Sequence, residues 1–388
     1  MDISERIRYV GVNDLDKVLF ESQWPLKYGI SYNSYLVVDE KIALIDTVDI
    51  AFKKEFYENI RSAIGERTID YLVVNHMEPD HSALISFIRS EYPNIEIVMN
   101  PKAVPMINGF QGITDNITAV KDGDELNLGH TTLRFYAIPM VHWPETMVTY
   151  CVEEKTAFSG DAFGSFGSVM NCITDTSCDT YEKYQDEIIR YYSNIVGKFG
   201  QPVQNALKKL SSLELKRICP THGPVWETHL KEVVALYDKM SRYETEKGVC
   251  IVYGSMYGNT EKAALSLADE LKSRGVKYAI HNLSFENPSY AYEDVFKYSI
   301  IAAGAPTYNN DIFPPVRHFL YGVCSRFVRN HSFFSFGSYS WAGGSVKLMD
   351  EMMAAHGFCI LTEGLAFKQG YRKEECDMGA VADLIKQS

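Results

Sequence analysis

Asn75-His76-Met77-Glu78-Pro79-Asp80-His81-Ser82 decides how this chain is read. Four side chains able to bind a metal, His76, Glu78, Asp80 and His81, fall within six positions. The apolar run Tyr71-Leu72-Val73-Val74 comes just before and predicts a buried strand of a parallel or mixed sheet. Pro79 suits the first position of a helix, where its missing N–H costs nothing. Ser82 to Ile88 then continues with helical apolar spacing. The ligands therefore belong to a strand-to-helix turn at the carboxyl end of a strand, where α/β folds place their chemistry. A polar loop with two incidental histidines is the plainer alternative. The density of ligand types after a strand argues against it, and a metal site is expected.

Working outward, three more candidates follow apolar strands. His142 comes after Pro139-Met140-Val141, Asp161 after Thr156-Ala157-Phe158-Ser159-Gly160, and His222 after Ile218-Cys219-Pro220-Thr221. Singly, each is as readily a loop or capping residue; together, at strand ends, they can point into one cleft. The inventory is four imidazoles (76, 81, 142, 222) and three carboxylates (78, 80, 161). Zinc is content with four ligands, often nitrogen or sulfur. Imidazole with several hard carboxylates, one placed to bridge, suits a pair of iron ions better. His130, His229, His281, His318, His331 and His356 lack this setting and read as ordinary surface or core residues.

A chain of 388 residues suggests two domains. Hydrophobic residues at 46% and charged residues at 23% are those of a soluble globular protein. The formal charge of -12 speaks against nucleic acid or an anionic membrane as partner. There is no signal-peptide pattern at Met1–Arg6 and no apolar run of about 18 residues to span a membrane. The eight cysteines contain no C-x-x-C pair, against zinc-ribbon, rubredoxin-type or thioredoxin-like motifs. Cys172 and Cys178 are spaced to pair, but reduced thiols and a cytoplasmic location are expected.

Along the chain, Ser34–Val38 and Lys41–Asp46 predict a hairpin, and Phe52–Ile64 a helix that stops at Gly65. A strand at Ile95–Met99 and a helix near Ala103–Ile107 follow. Three strands come next (Thr132–Val141, Met147–Val152, Thr156–Ser159), then a helix over Tyr181–Gly197 and a strand at Arg217–Pro220. This predicts two sheets covered by helices. The polar segment Ser241–Gly248 marks the boundary, giving domains 1–247 and 248–388. Beyond it strands and helices alternate: strands Val249–Tyr253, Lys277–Leu283, Tyr298–Ala303, Ser332–Phe336 and Cys359–Ala366, with helices Thr260–Ser273, Pro315–Val323, Val346–His356 and Met378–Gln387. Such alternation predicts a doubly wound parallel sheet.

His76-x-Glu78-x-Asp80-His81, followed by His142, Asp161 and His222, resembles the flavodiiron proteins. Their first domain has the metallo-β-lactamase αβ/βα sandwich fold. Hydrolytic relatives in that superfamily typically carry histidine where this chain has Glu78, and bind zinc. The resemblance covers nearly the whole chain. It implies that His76, Glu78 and His142 bind one iron, that Asp80, His81 and His222 bind the other, and that Asp161 bridges them. No catalytic residue beyond these ligands is implied.

The second half carries three loops at strand ends. Ser255-Met256-Tyr257-Gly258-Asn259-Thr260 joins a strand to a helix. Its hydroxyls and N–H groups suit a phosphate dianion, without the lysine of a nucleotide-triphosphate P-loop. Pro306-Thr307-Tyr308-Asn309 follows Gly304-Ala305, and Ser338-Tyr339-Ser340-Trp341-Ala342-Gly343 follows Gly337. Each places an aromatic residue where it can cover a flat ring. A polar turn and packing aromatics are the plainer reading of any one of them. Together they predict a flavin mononucleotide (FMN) site and are similar to flavodoxin, with sheet order 2-1-3-4-5.

The resemblance then implies an oxidoreductase. Electrons pass from FMN to a di-iron centre that reduces oxygen to water or nitric oxide to nitrous oxide, protecting an oxygen-sensitive cell. It implies a separate electron donor, a rubredoxin or a reduced deazaflavin. It also implies a head-to-tail homodimer or a dimer of such dimers. Two rivals stay open on the sequence: a zinc hydrolase fused to a flavodoxin electron carrier, and a non-catalytic carrier.

Overall fold

The computed structural model describes residues 1–170, 172–176 and 180–387. The chain divides into two compact units, Met1–Asp238 and Lys239–Ser388.

The first unit holds two sheets. One contains β1 (Ile7–Tyr9), β2 (Tyr35–Val38), β3 (Ile42–Ile45), β4 (Tyr71–Val74), β5 (Glu96–Met99) and β6 (Ile117–Ala119), in that spatial order. The hairpin β2–β3 is antiparallel, and β3 to β6 run parallel. The other contains β7 (Glu125–Asn127), β8 (Thr132–Ala137), β9 (Met147–Cys151), β10 (Thr156–Gly160) and β11 (Arg217–Pro220). Strand alternation sends Tyr35, Val37, Ala43, Ile45, Tyr71 and Val73 inward to meet Leu133, Phe135, Met147, Phe158 and Cys219 in one core between the sheets. The intervening residues Leu36, Leu44, Leu72 and Ile97 are buried as well, so the outer face of the first sheet is also covered. This is the expected αβ/βα sandwich.

The second unit is a parallel sheet of β12 (Glu246–Tyr253), β13 (Tyr278–Asn282), β14 (Tyr298–Gly304), β15 (Ser332–Tyr339), β16 (Cys359–Ile360) and β17 (Leu365–Lys368). Its order is β13-β12-β14-β15, with β16 and β17 both beside β15. That is the 2-1-3-4-5 order, with the switch point between β12 and β14. One face packs against helices Asn259–Ser273 and Met378–Gln387.

Four expectations change. The helix expected through Ser82 is interrupted: Pro79–Ser82 forms one turn and Ile85–Glu91 a second helix. The His81 carbonyl, which a continuing helix would offer to Ile85, is taken by Thr47 through its N–H at 2.8 Å and its hydroxyl at 2.6 Å. Tyr181–Gly197 is an α-helix, Thr180–Tyr191, followed by a π-turn at Tyr192–Val196. The strand expected at Cys359–Ala366 is the two short strands β16 and β17; Gly364 between them lies so close to Ser335 and Val346 that a side chain there would collide. Cys172 is disulfide-bonded, against the expectation of reduced thiols; Cys178 lies outside the described residues. Sequence spacing did not reveal helices Gly200–Leu210, Leu230–Ser241 and Pro288–Lys297 or the short strands before Ser34. No helix among the described residues is long and apolar enough to cross a membrane.

Thr47→Val keeps the volume but removes one of the bonds that end the first helical turn. It should cost about 1 kcal/mol, read as a lower chemical-denaturation midpoint. An unchanged midpoint would mean that Thr47 does not fix this break.

Candidate metal centre and flavin site

β8, β10 and β11 run in one direction, since each of β8 and β10 is antiparallel to β9 and β11 is parallel to β10. The chain therefore leaves all three at one edge, where His142, Asp161 and His222 follow. Gly160, at φ +58°, turns the backbone so that Asp161 faces back into the cleft. His76 and Glu78 follow β4, and Asp80 and His81 lie on the single helical turn after it. A latch aligns the two sheets here. Asn75 donates its N–H to Asp46 Oδ1 at 2.7 Å, accepts from Thr149 Oγ1 at 2.7 Å through Oδ1, and accepts from the Met147 N–H at 3.0 Å through its carbonyl.

All seven expected ligands come together, in two groups that can each hold a cation: His76, Glu78, His142 and Asp161, and Asp80, His81 and His222. Asp161 Oδ2 lies 3.0 Å from His142 Nε2 and 3.4 Å from His76 Nε2. Glu78 Oε2 closes this set at 3.1 Å from His142 Nε2 and 3.3 Å from His76 Nε2. The other oxygen of the same carboxylate, Asp161 Oδ1, faces His81 Nε2 at 3.1 Å and His222 Nε2 at 3.7 Å. Asp80 Oδ2 is 3.4 Å from His81 Nε2 and 3.3 Å from His222 Nε2. Ligand atoms about 2.1 Å from a common ion stand roughly 3.0–3.4 Å from one another, and all of these spacings except the 3.7 Å to His222 fall in that range.

The donor atoms fit metal ions in a second respect. Both carboxylate oxygens of Asp80 and the Nε2 atoms of His81 and His222 are buried without a hydrogen-bond partner. Buried polar atoms in proteins are otherwise almost always paired. Of the ring nitrogens facing away from the centre, two are held, His76 Nδ1 by Glu145 Oε1 at 2.8 Å and His222 Nδ1 by the Ser31 carbonyl at 2.7 Å, while His81 Nδ1 is buried without a partner. Thr221 Oγ1 donates to Asp161 Oδ1 at 2.6 Å.

Burial opposes charge on His76, His81 and His142, but the facing carboxylates outweigh it. Asp80 and Asp161 raise His81 to about 9, and Asp161 and Glu78 raise His142 to about 9. Asp161, Glu145 and Glu78 hold His76 well above its usual value. Glu78 and Asp161 are held well below the carboxylate range, against desolvation, by the same imidazoles. Without metal, protons on these rings take the place of cations.

Several site residues carry no signal in the sequence. Glu145 is one. Tyr191 is another: its ring lies 5.6 Å from that of His222 and its buried hydroxyl has no partner. Burial, then the charges of Asp161, Asp80 and Glu78 with neighbouring Tyr237, hold that phenol far above its ordinary value, so it keeps its proton.

In the second unit, Ser255, Met256, Tyr257, Asn259, Thr260, Pro306, Thr307, Ser338, Tyr339 and Ser340 line one pocket of about 110 Å³, and Gln369 joins them. The pocket sits at the N-terminus of helix Asn259–Ser273, whose first N–H groups have no acceptor within the helix. Gly258 caps that helix at φ +83° and donates to Ser255 Oγ at 3.0 Å, while the hydroxyls of Thr260 and Ser338 meet at 3.1 Å. The lining is hydroxyl-rich and has no lysine, which fits a monophosphate. Tyr308 and Asn309 line a neighbouring cavity of about 930 Å³. Gly258, Trp341, Ala342 and Gly343 line neither. The Trp341 and Tyr257 side chains are 90% and 89% exposed, free to cover a flat ring.

Residues 30–223 match the family model described as ODP family beta lactamase, and residues 251–379 match that of flavodoxin. The chain is 30% identical over 365 residues to a nitric oxide reductase of Moorella thermoacetica, covering 93% of this chain and 91% of that protein. The rubredoxin:oxygen oxidoreductase of Desulfovibrio gigas superposes with a TM-score of 0.95 at 27% identity, covering 100% of this chain and 98% of that one. The flavodiiron protein of Giardia intestinalis gives 0.94 at 28% identity, covering 100% and 96%. The chain belongs to the flavodiiron protein family. A flavodiiron protein with a flavodoxin domain is an oxidoreductase, so the hydrolase and the idle carrier are set aside.

The raised histidines give this protein a pH signature when metal-free. A histidine free in the unfolded chain loses its proton near 6.5, whereas His81 and His142 in the fold keep theirs to about 9. Their stabilisation is complete below pH 6.5 and is lost as pH rises to about 9. The thermal midpoint of metal-free protein should therefore fall between pH 6.5 and 9, while metal affinity rises because binding no longer displaces protons. A metal-free midpoint that rises across this window would contradict the ion pairing.

Proposed function

We propose that this protein is a flavodiiron reductase of oxygen, nitric oxide or both, with its irons on the seven residues above and its FMN phosphate in the Ser255–Thr260 loop. The observation that carries the reading is the division of Asp161 between two ligand sets, one at each oxygen. When bound, the cofactors supply the redox chemistry: electrons enter at the flavin and reduce the diatomic gas at the di-iron centre, to water or to nitrous oxide.

The chain's own residues prepare that centre. Asp161, with one oxygen toward each histidine pair, would hold two metal ions at a fixed spacing. Glu145 and the Ser31 carbonyl accept from the Nδ1–H of His76 and His222, which sets the tautomer and turns each Nε2 lone pair inward. The rings of Phe20, Tyr32 and Tyr191 pack 5.1–5.6 Å from that of His222 and exclude water from this side. Tyr191, whose ring lies 5.6 Å from that of His222, keeps the proton on its buried hydroxyl and would be a proton source near the centre. Electrons come from a separate donor, a rubredoxin or a reduced deazaflavin.

The flavin and the irons lie on different units of the chain, and we propose that a head-to-tail homodimer brings the flavin of one subunit to the irons of the other. A two-fold axis creates both pairings at once. Asp161→Ala should lose iron and keep flavin. Gly258→Asp should keep iron and expel flavin by setting a carboxylate against the phosphate. Each alone should consume neither gas when supplied with reductant. Mixed under subunit exchange, the two should recover part of the activity, since the intact flavin of one faces the intact irons of the other. Verified heterodimers without recovered consumption would exclude the crossed arrangement. Wild-type protein that consumes neither gas would exclude the reductase itself.

A further inference from the structure

Behind the second sheet of the first unit lies an apolar cavity of about 230 Å³. Val148, Ala157 and Ile218 form its sheet wall, and Leu207 and Leu210 of helix Gly200–Leu210 close it from outside. One end reaches the surface at Ser211, Leu213 and Leu215, where Ser211 is exposed and the two leucines are half-buried. Its lining also includes the buried Phe163, two residues beyond Asp161. The Gly164 N–H donates to the Asp161 carbonyl at 3.1 Å, so Phe163 belongs to the turn that carries Asp161.

Two features show what the cavity accepts. Among the described residues its only polar side chains are two serines, and the O–H of each already has an acceptor. Ser159 donates to the Ala162 carbonyl at 2.7 Å, and Ser211 to that of Lys208 at 2.8 Å. Away from the mouth at Ser211, a water would find no side-chain donor and one serine oxygen to donate to, fewer than the two to four partners a buried water needs, whereas apolar walls of this kind take up xenon or benzene. The second feature is Phe163 itself. Its φ of +67° is rare for a bulky residue. The backbone is held there by the Trp226 Nε1–H bond to the Phe163 carbonyl at 2.9 Å, and the ring by Tyr237 at 4.6 Å. An unusual conformation is thus maintained in a residue that lines the cavity and lies two positions beyond Asp161. Close-packed layers do not keep voids without cost.

We propose that this cavity is a gas antechamber, binding a small apolar diatomic molecule and passing it by Phe163 to the metal centre. The inference rests on the reductase reading above. Oxygen and nitric oxide suit it because they need no hydrogen-bond partner and leave water readily for an apolar wall.

The test uses holoenzyme crystals under xenon, together with kinetics. Xenon should appear between Ala157, Leu207 and Ile218. Ala157→Phe fills the cavity, and Leu213→Trp blocks its half-buried mouth with less demand on folding. Either variant should lose the xenon and lower kcat/KM for the gas several-fold, with kcat at saturating gas, iron and flavin unchanged. A folded variant that loses xenon but keeps kcat/KM overturns the proposal. Wild-type protein that reduces gas yet takes no xenon here overturns the cavity alone. Wild-type protein that takes xenon but reduces neither gas overturns the feeding role together with the reductase reading.

Discussion

One carboxylate sets the terms for the first unit. Asp161 is buried, and each of its oxygens faces a separate pair of imidazoles and a further carboxylate. Three carboxylates brought this close and withdrawn from water repel one another, and each unpaired buried charge costs several kcal/mol. Cations must enter between them, as protons on the histidines or as metal ions. The fold is arranged to meet that demand: the first sheet delivers His76, Glu78, Asp80 and His81, the second delivers His142, Asp161 and His222, and the Asp46–Asn75–Thr149 chain of hydrogen bonds aligns their edges.

The clustering of these seven side chains was legible because they follow apolar strands, and strand ends converge in an α/β fold. Glu78 was decisive in that reading, since a hard oxygen donor there favours iron over zinc. The order of the second sheet was legible for a similar reason, from the strict alternation of strand and helix. Glu145, Tyr191 and Thr47 were not. Glu145 meets His76 across 69 residues and Thr47 meets His81 across 34. Neither partnership leaves a trace in local periodicity. The break after Ser82 has the same origin: local spacing predicts a continuing helix, and a distant hydroxyl captures the carbonyl it needs.

The flavin loops show the reverse balance. Their residues were proposed from glycine, hydroxyl and aromatic content, and ten of them line one pocket. Composition did not separate the hydroxyls that line it from Trp341, Ala342 and Gly343, which do not. Gln369 reaches the pocket from β17's end, on a strand whose boundaries the sequence left wrong because Gly364 interrupts it.

The central claim is that one carboxylate organises two iron positions. The most direct measurement is the metal content of protein purified from iron- and zinc-replete cells, compared between wild type and Asp161→Asn. That variant keeps the shape of the side chain but gives up its charge and one oxygen donor. The account predicts two irons per chain in the wild type and loss of iron from both positions in the variant. Stoichiometric zinc in the wild type, or a variant that retains both irons, would contradict it.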